Sequence, residues 1–290
     1  MTVSSNRVKW MFLAPAMIYM LLLTLYPFIY SLILSTTRNN LARVEQQGFV
    51  GLNNYIELLT TSLFQKAIVN TFLIAALSIL LELFIGYIIA RLFFIIRDIP
   101  GSGLIRTVYI LPMMVTPVVS GLLFTYILNP TLGVANYVLQ SVGLDPYAWF
   151  ARANTALPTV VLVNSWQWGP FLMLLILAGL MSISKEQYEA AAIDGAGLFA
   201  TIWNIELPSL RNIMVVGIMF RVIDNFRLFD IVYVATKGGP GDATEILSMY
   251  AYREMFQFFN IGYGSAIAVI ILIIGVILSQ ILYRLIREEN

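Results

Sequence analysis

With 59% of its 290 residues apolar and only 11% charged, this chain cannot hide its hydrophobic side chains inside one soluble domain and still present a polar surface, so its solvent is lipid. A formal net charge of +1 gives no electrostatic reason to bind nucleic acid. The absence of cysteine and histidine removes disulfides, thiolate nucleophiles, imidazole metal sites and Ser-His catalysis.

Stretches of about 20 mostly apolar residues predict an all-α integral membrane protein, a single transmembrane domain over residues 1–290 with spans at 11–35, 68–96, 104–128, 157–181, 212–236 and 262–284. Six spans put both termini on one side. The first follows Arg7 and Lys9 and is too long for a signal-peptide core, so it reads as a retained helix in which Pro15 and Pro27 are tolerated. The second carries Glu82 alone near its middle, a group expected to partner a polar residue elsewhere rather than to carry protons. The short loop after it, with Arg91, Arg97 and Arg106, marks the inner side of the membrane. Asn129-Pro130, Asp145-Pro146 and Gly238-Gly239-Pro240-Gly241 read as outer turns. The glycine run is no phosphate cradle, because no lysine here precedes a serine or threonine.

In the fourth span Asn164, Gln167, Trp168 and Phe171 fall at i, i+3, i+4 and i+7, one helix face that mixes amides with aromatic rings. Such a face suits a ligand that offers both hydroxyl groups and apolar C–H surface. Trp168 reads equally as ligand contact or as interfacial belt, and Trp166 as belt. In the fifth span Arg221, Asp224, Arg227 and Asp230 alternate in sign at a spacing of three, which predicts pairing along the helix, while Arg221, Asn225 and Leu228 share a face.

Between these spans, residues 184–208 are too charged to cross a membrane. Ser184 with Gln187 predicts a capping box opening a helix that ends at Gly195 or Gly197, then a second short helix over 198–206 that Pro208 stops. Small Ala190, Ala191, Ala192 and Ala196 permit close approach, and Glu189 and Asp194 are charged handles. This suits a docking knob. An amphipathic helix on the membrane surface is the alternative, and would want more basic residues than Lys185.

The run Tyr188-Glu189-Ala190-Ala191, then Asp194-Gly195-Ala196, then Ile205, Leu207 and Pro208 resembles the EAA loop of importer permeases of the ATP-binding-cassette superfamily. Ile202 stands where that pattern often has an aromatic residue. Tyr26-Pro27, Gly51-Leu52-Asn53-Asn54-Tyr55, Leu111-Pro112, Phe229-Asp230, Gly238-Gly239-Pro240 and Gly264-Ser265-Ala266 extend the likeness to maltose-type and glycerol-3-phosphate-type carbohydrate permeases, specifically the first of two paired subunits.

That resemblance implies a permease subunit forming half of the pathway of an ATP-driven sugar importer, multi-pass in a bacterial cytoplasmic (inner) membrane with both termini cytoplasmic. The loop at 184–208 would be a coupling helix pair entering a cleft on the ATPase. Glu189 and Asp194 would contact or orient around it, Ala190, Ala191 and Ala196 would allow the fit, and Gly195 would form the bend. The substrate path would involve Asn164, Gln167, Trp168, Phe171, Arg221, Asn225 and Leu228. Arg221 is either a clamp for an anionic sugar or merely the partner of Asp224. Implied partners are a second permease subunit, two ATP-binding subunits that bind ATP and Mg, and a soluble substrate-binding protein, with no catalytic residue, cofactor or metal in this chain. An ion-coupled secondary carrier built on the charged fifth span is the alternative, although no inverted repeat is evident. A membrane enzyme would have to work without His or Cys.

Overall fold

The computed structural model describes the backbone of residues 5–42 and 47–287, and side chains over 9–42 and 47–284. The termini themselves lie outside the described residues, as does Arg7 for its side chain. The described chain is mostly helical and carries one short antiparallel strand pair, β1 (Thr37–Arg38) with β2 (Gly48–Phe49), in which Thr37 faces Phe49. In order, the helices are α1 (Ser5–Ser35), α2 (Asn53–Thr60), α3 (Ser62–Ile95), α4 (Ser102–Met114), α5 (Pro117–Ile127), α6 (Val134–Ser141) and α7 (Ala153–Ser182). They continue as α8 (Lys185–Ile193), α9 (Leu198–Thr201), α10 (Leu207–Phe226), α11 (Asp230–Ala235), α12 (Leu247–Tyr252) and α13 (Ile261–Arg287), with π-helical turns at Ile202–Glu206 and Arg253–Gln257.

Four of these, within α1, α3, α7 and α13, are long and apolar enough to cross a bilayer. Pro15 and Pro27 sit inside an unbroken α1, as expected. The expected span 104–128 is instead two helices, α4 and α5, bent by 99°. Thr116 precedes Pro117, whose ring drives the preceding residue out of the helical region, and Val115 and Thr116 are both extended. The expected span 212–236 is also divided. α10 ends at Phe226, Arg227 and Phe229 leave helical geometry, and α11 resumes at Asp230. Length and composition therefore give four spans among the described residues, or five with the bent pair taken as one, where the sequence predicts six.

The chain divides into two compact units, one running to Thr61 and joined by Tyr250–Leu272, the other comprising Ser62–Met249 with the chain from Ile273 onward. In the first, large apolar side chains of α1 from Trp10 to Ile33 are mostly exposed within the chain, the condition of a helix solvated by lipid or covered by another protein. The motif at residues 51–55 has a local task there. Gly51 turns the chain at φ 59°, Asn54 donates to the carbonyls of Ser35 (2.8 Å) and Thr37 (3.0 Å), and the Tyr55 hydroxyl meets Ser35 Oγ at 2.6 Å. Carbonyls left over at the end of α1 are thereby satisfied.

In the second unit α3 lies along α7, with α10 and α4 packed on the pair. Glycines set the spacing: a Cβ on Gly86 would lie 3.2 Å from the Met173 backbone nitrogen, and one on Gly217 2.6 Å from Leu172 Cδ2. Small residues at crossing points let helices approach closely enough to gain dispersion energy where no water need be expelled. Ala90, Phe93, Met173, Ile176, Leu180 and Leu210 form a buried core where α3, α7 and α10 meet.

Candidate functional site

α10 carries Arg221, which is 1% exposed, inward to α3. Its Nε donates to Glu82 Oε2 at 2.7 Å and its Nη2 to Glu82 Oε1 at 2.8 Å, while Nη1 donates to Asp224 Oδ2 at 2.5 Å. The guanidinium also lies 5.1 Å from the centre of the Trp168 ring. Burying an arginine this deeply is tolerable because the paired carboxylate matches its fork. Glu82 thus has the polar partner the sequence expected, with Arg221 supplying it. The alternating row does not hold beyond its first step. Arg221 pairs with Asp224, but among the described residues no ion pair joins Arg227 to Asp224 or Asp230. The helix stops at Phe226, and the i, i+3 geometry stops with it.

Three amides tie the same helices together. Asn164 of α7 donates to Asn225 Oδ1 (2.8 Å) and Ser78 Oγ (3.1 Å), Asn225 donates back to the Arg221 carbonyl (2.8 Å), and Gln167 donates to the Val115 carbonyl at the α4–α5 break (2.6 Å). Asn164, Gln167 and Asn225 are 1%, 1% and 3% exposed, so they lie in the packing between helices rather than on an open surface. Gln167 Oε1 has no hydrogen-bond partner among the described residues. Trp168 and Phe171 look elsewhere, into a cavity of about 210 Å³ shared with Phe220, Arg221 and Asp224. Phe171 and Phe220 meet edge to face at 6.3 Å. Trp166 is more exposed and packs on Phe124 at 5.0 Å. Leu228 lies past the end of α10, where its carbonyl accepts from the Ser248 hydroxyl. The expected face therefore separates into a cavity wall (Trp168, Phe171, Arg221) and a buried brace (Asn164, Gln167, Asn225). Sequence reasoning passed over Phe220, although it stands four residues before Asp224 on one face of α10.

The segment after α7 begins with Ser184 in extended geometry as the N-cap of α8, but its side chain makes no capping bond. The predicted box with Gln187 does not form. Glu186 is an acid in the first turn, and its own backbone N–H and then the Ser184 hydroxyl hold its carboxyl below the usual carboxylate range. α8 closes as expected at Gly195. The left-handed φ of 71° there lets Gly195 N donate to the Ala192 carbonyl (3.1 Å) and Ala196 N to the Ala191 carbonyl (2.9 Å), the two bonds of a Schellman motif. Ala191 is buried and Ala196 half-buried, whereas Glu189, Ala190 and Asp194 are exposed. Exposed with them are Ile193 (86%), Phe199 (75%) and Trp203 (68%). Pro208 does not stop the second helix. The chain is helical without a break from Leu198 through the π turn to Phe226. Pro208 sits in the first turn of α10, and the widened turn just before it accommodates a ring that would otherwise press on the carbonyl four residues back.

A second buried carboxylate anchors this segment. Glu206 is 1% exposed, accepts a very short hydrogen bond from the Tyr87 hydroxyl, and pairs with Arg91 Nε at 3.2 Å. Tyr188 of α8 packs on Phe94 at 5.7 Å, and the Arg97 guanidinium lies 4.2 Å from the centre of the same Phe94 ring. Burial, then the Glu206 charge, pushes the Tyr188 hydroxyl up to about 12. Sequence reasoning assigned no role to Glu206, Tyr87 or Arg91. The available signal was Tyr87 and Arg91 at i, i+4, one face of α3 presented to the loop.

The family model described as binding-protein-dependent transport system inner membrane component matches residues 82–288. The chain is 34% identical to the trehalose transport system permease protein SugA of Mycobacterium tuberculosis, over 92% of this chain and 85% of that one. It is 33% identical to the sulfoquinovosyl glycerol transport system permease protein SmoG of Agrobacterium fabrum, over 96% and 90%. In fold it is similar to a bacterial alginate ABC transporter solved in complex with an alginate pentasaccharide-bound periplasmic protein, with TM-score 0.85, 21% identity and coverage of 99% and 96%.

Proposed function

Because the chain belongs to the family of binding-protein-dependent transport system inner membrane components, we propose that it is one of two permease subunits in an ATP-driven sugar importer. The relatives' names support sugar as the cargo, trehalose for one and a sulfoquinovosyl glycerol for another. In this reading the chain spans the cytoplasmic membrane with both termini inside, and ATP and Mg are bound by two separate ATPase subunits. A soluble binding protein delivers the sugar. The chain itself performs no chemistry.

One observation carries the mechanism: the helical run from Leu198 to Phe226 joins the exposed loop to Arg221 and Asn225 without interruption. From Glu206 to Arg221 is about 22 Å at 1.5 Å per residue. An ATPase closing on Glu189, Asp194, Ile193 and Phe199 would move this rod as a body, with Glu206 gripping it against Tyr87 and Arg91 of α3. Motion at the loop then reaches the Asn164–Asn225 brace and the Glu82–Arg221 pair, whose hydrogen bonds cross between helices. Trp168, Phe171 and Arg221 border the path, with Asn164, Gln167 and Asn225 behind them. Neither the family match nor the relatives' names support an ion-coupled carrier.

Affinity purification of this chain from its native host tests the proposal. An ATPase subunit and a second permease should co-purify, and ATP turnover should rise when loaded binding protein is added. Transport by the purified chain alone, driven by an ion gradient without ATP, would overturn it.

A further inference from the structure

The cavity between α7 and α10 has three aromatic walls, Trp168, Phe171 and Phe220, and two charged groups, Arg221 and Asp224. These charges are not equally available. Arg221 is 1% exposed, with Nε, Nη1 and Nη2 all donating to carboxylates and a guanidinium flanked by the Trp168 ring. Asp224 has a side chain 49% exposed and uses only Oδ2 on Arg221, while Oδ1 accepts no hydrogen bond among the described residues. One buried cation stands against two carboxylates, Glu82 and Asp224, so the ionised cluster carries one net negative charge.

We propose that this cavity takes uncharged, polyhydroxylated ligands and rejects anionic sugars, with Asp224 as the residue that sets the discrimination. The proposal rests on the permease reading and names the class of sugar that reading leaves open. A carboxylate with a free oxygen accepts hydroxyl hydrogen bonds, and aromatic faces cover the apolar C–H side of a pyranose. A cavity of about 210 Å³ has room on the scale of one sugar ring. A uronate or sugar phosphate entering it would meet Asp224 before any cation, in surroundings where like charges are poorly screened. Arg221 is ill placed to act as the clamp, because Nε and Nη2 are committed to Glu82 and Nη1 already holds Asp224, so a ligand anion would have to displace that carboxylate and then lie beside it.

The test uses the complete transporter, partner permease and ATPases included, in detergent without binding protein, so that the soluble protein's own preference does not enter. Neutral methyl hexosides and disaccharides, each with its uronate counterpart, are titrated while fluorescence is followed. The Trp168 signal is the difference between wild type and Trp168→Phe. Neutral members should quench it, with uronates weaker by about tenfold or more, the size of one unscreened like charge. Asp224→Asn, which removes a half-exposed charge and leaves the Glu82–Arg221 pair in place, should bring each pair close to parity. Uronates binding as well as or better than their neutral partners, an unchanged ratio in Asp224→Asn, or no Trp168-dependent quenching by any member would each overturn the proposal. ATP-dependent uptake stimulated by loaded binding protein in the same preparation, reconstituted in liposomes, reports separately on the permease reading, which stands if uptake persists and falls if no sugar is moved.

Discussion

Glu82 of α3 and Arg221 of α10, 139 residues apart in sequence, meet as a two-bond fork at 2.7 and 2.8 Å with both side chains almost fully buried. Each charge is tolerable only because the other is there. Replacing one partner should therefore cost far more than replacing both. Glu82→Gln is expected to destabilise the assembled complex by about 3–5 kcal/mol, whereas Glu82→Met with Arg221→Met should recover most of the loss. Thermal unfolding in detergent measures both. A single variant as stable as wild type would show that the fork does not hold the helices.

Glu206 should show the same sensitivity on the loop side. Tyr87→Phe removes one donor from a buried carboxylate and leaves only Arg91, a loss of about 1–3 kcal/mol. In reconstituted complexes, Glu206→Ala is expected to let ATP turnover continue while uptake per ATP falls, because the rod from Leu198 to Phe226 has lost its grip on α3. Uptake and turnover falling in step would instead indicate plain misfolding.

Tyr188 makes a prediction for alkaline pH. Its hydroxyl is raised from 10.0 to about 12, so the neutral form is favoured in the folded state. The associated stability is fully present below pH 10.0 and is lost as pH rises through about 12. Melting temperatures should fall less steeply above pH 10.0 in Tyr188→Phe than in wild type, with no difference in slope near neutrality. Parallel curves throughout would count against the burial of this hydroxyl.

At the end of α8, Gly195 holds φ 71°, which proline cannot adopt, and its N–H closes the cap on Ala192. Gly195→Pro and Glu189→Ala are both expected to uncouple ATP hydrolysis from uptake while the binding protein keeps its affinity for sugar. Normal uptake by both variants would sink the coupling role.

Gly86 offers a packing test with an internal control. A Cβ there would press on the Met173 backbone at 3.2 Å, whereas one on Gly103 would meet nothing within 4 Å. Gly86→Leu should push α3 off α7 and cost about 1–3 kcal/mol or more. Gly103→Ala, judged by the same unfolding measurement, should be neutral.

Much of this protein is local in origin, and those parts were legible in the sequence. Runs of apolar residues mark the helices around 11–35, 68–96, 157–181 and 262–284, because helix length and bilayer thickness are matched residue by residue. The charge of 184–208 kept that segment out of the span count, and Gly195 announced the end of α8 through its own backbone freedom. Where local signals competed, they misled. Pro208 read as a stop but was absorbed by a π turn, and Ser184 read as a box partner for Gln187 although its side chain makes no capping bond.

Partnership was decided only by the tertiary structure. The spacing of Arg221 pointed to Asp224 on its own helix, but nothing in it pointed to Glu82, which lies on another helix and holds two of its three bonded nitrogens. Asn164 and Gln167 shared a periodic face with Trp168 and Phe171, yet α3 and the α4–α5 break took the two amides and left the rings to the cavity. Periodicity determines which residues of a helix point the same way. What they meet there depends on how the helices cross, and buried charges and amides settle where that crossing gives them hydrogen-bond partners.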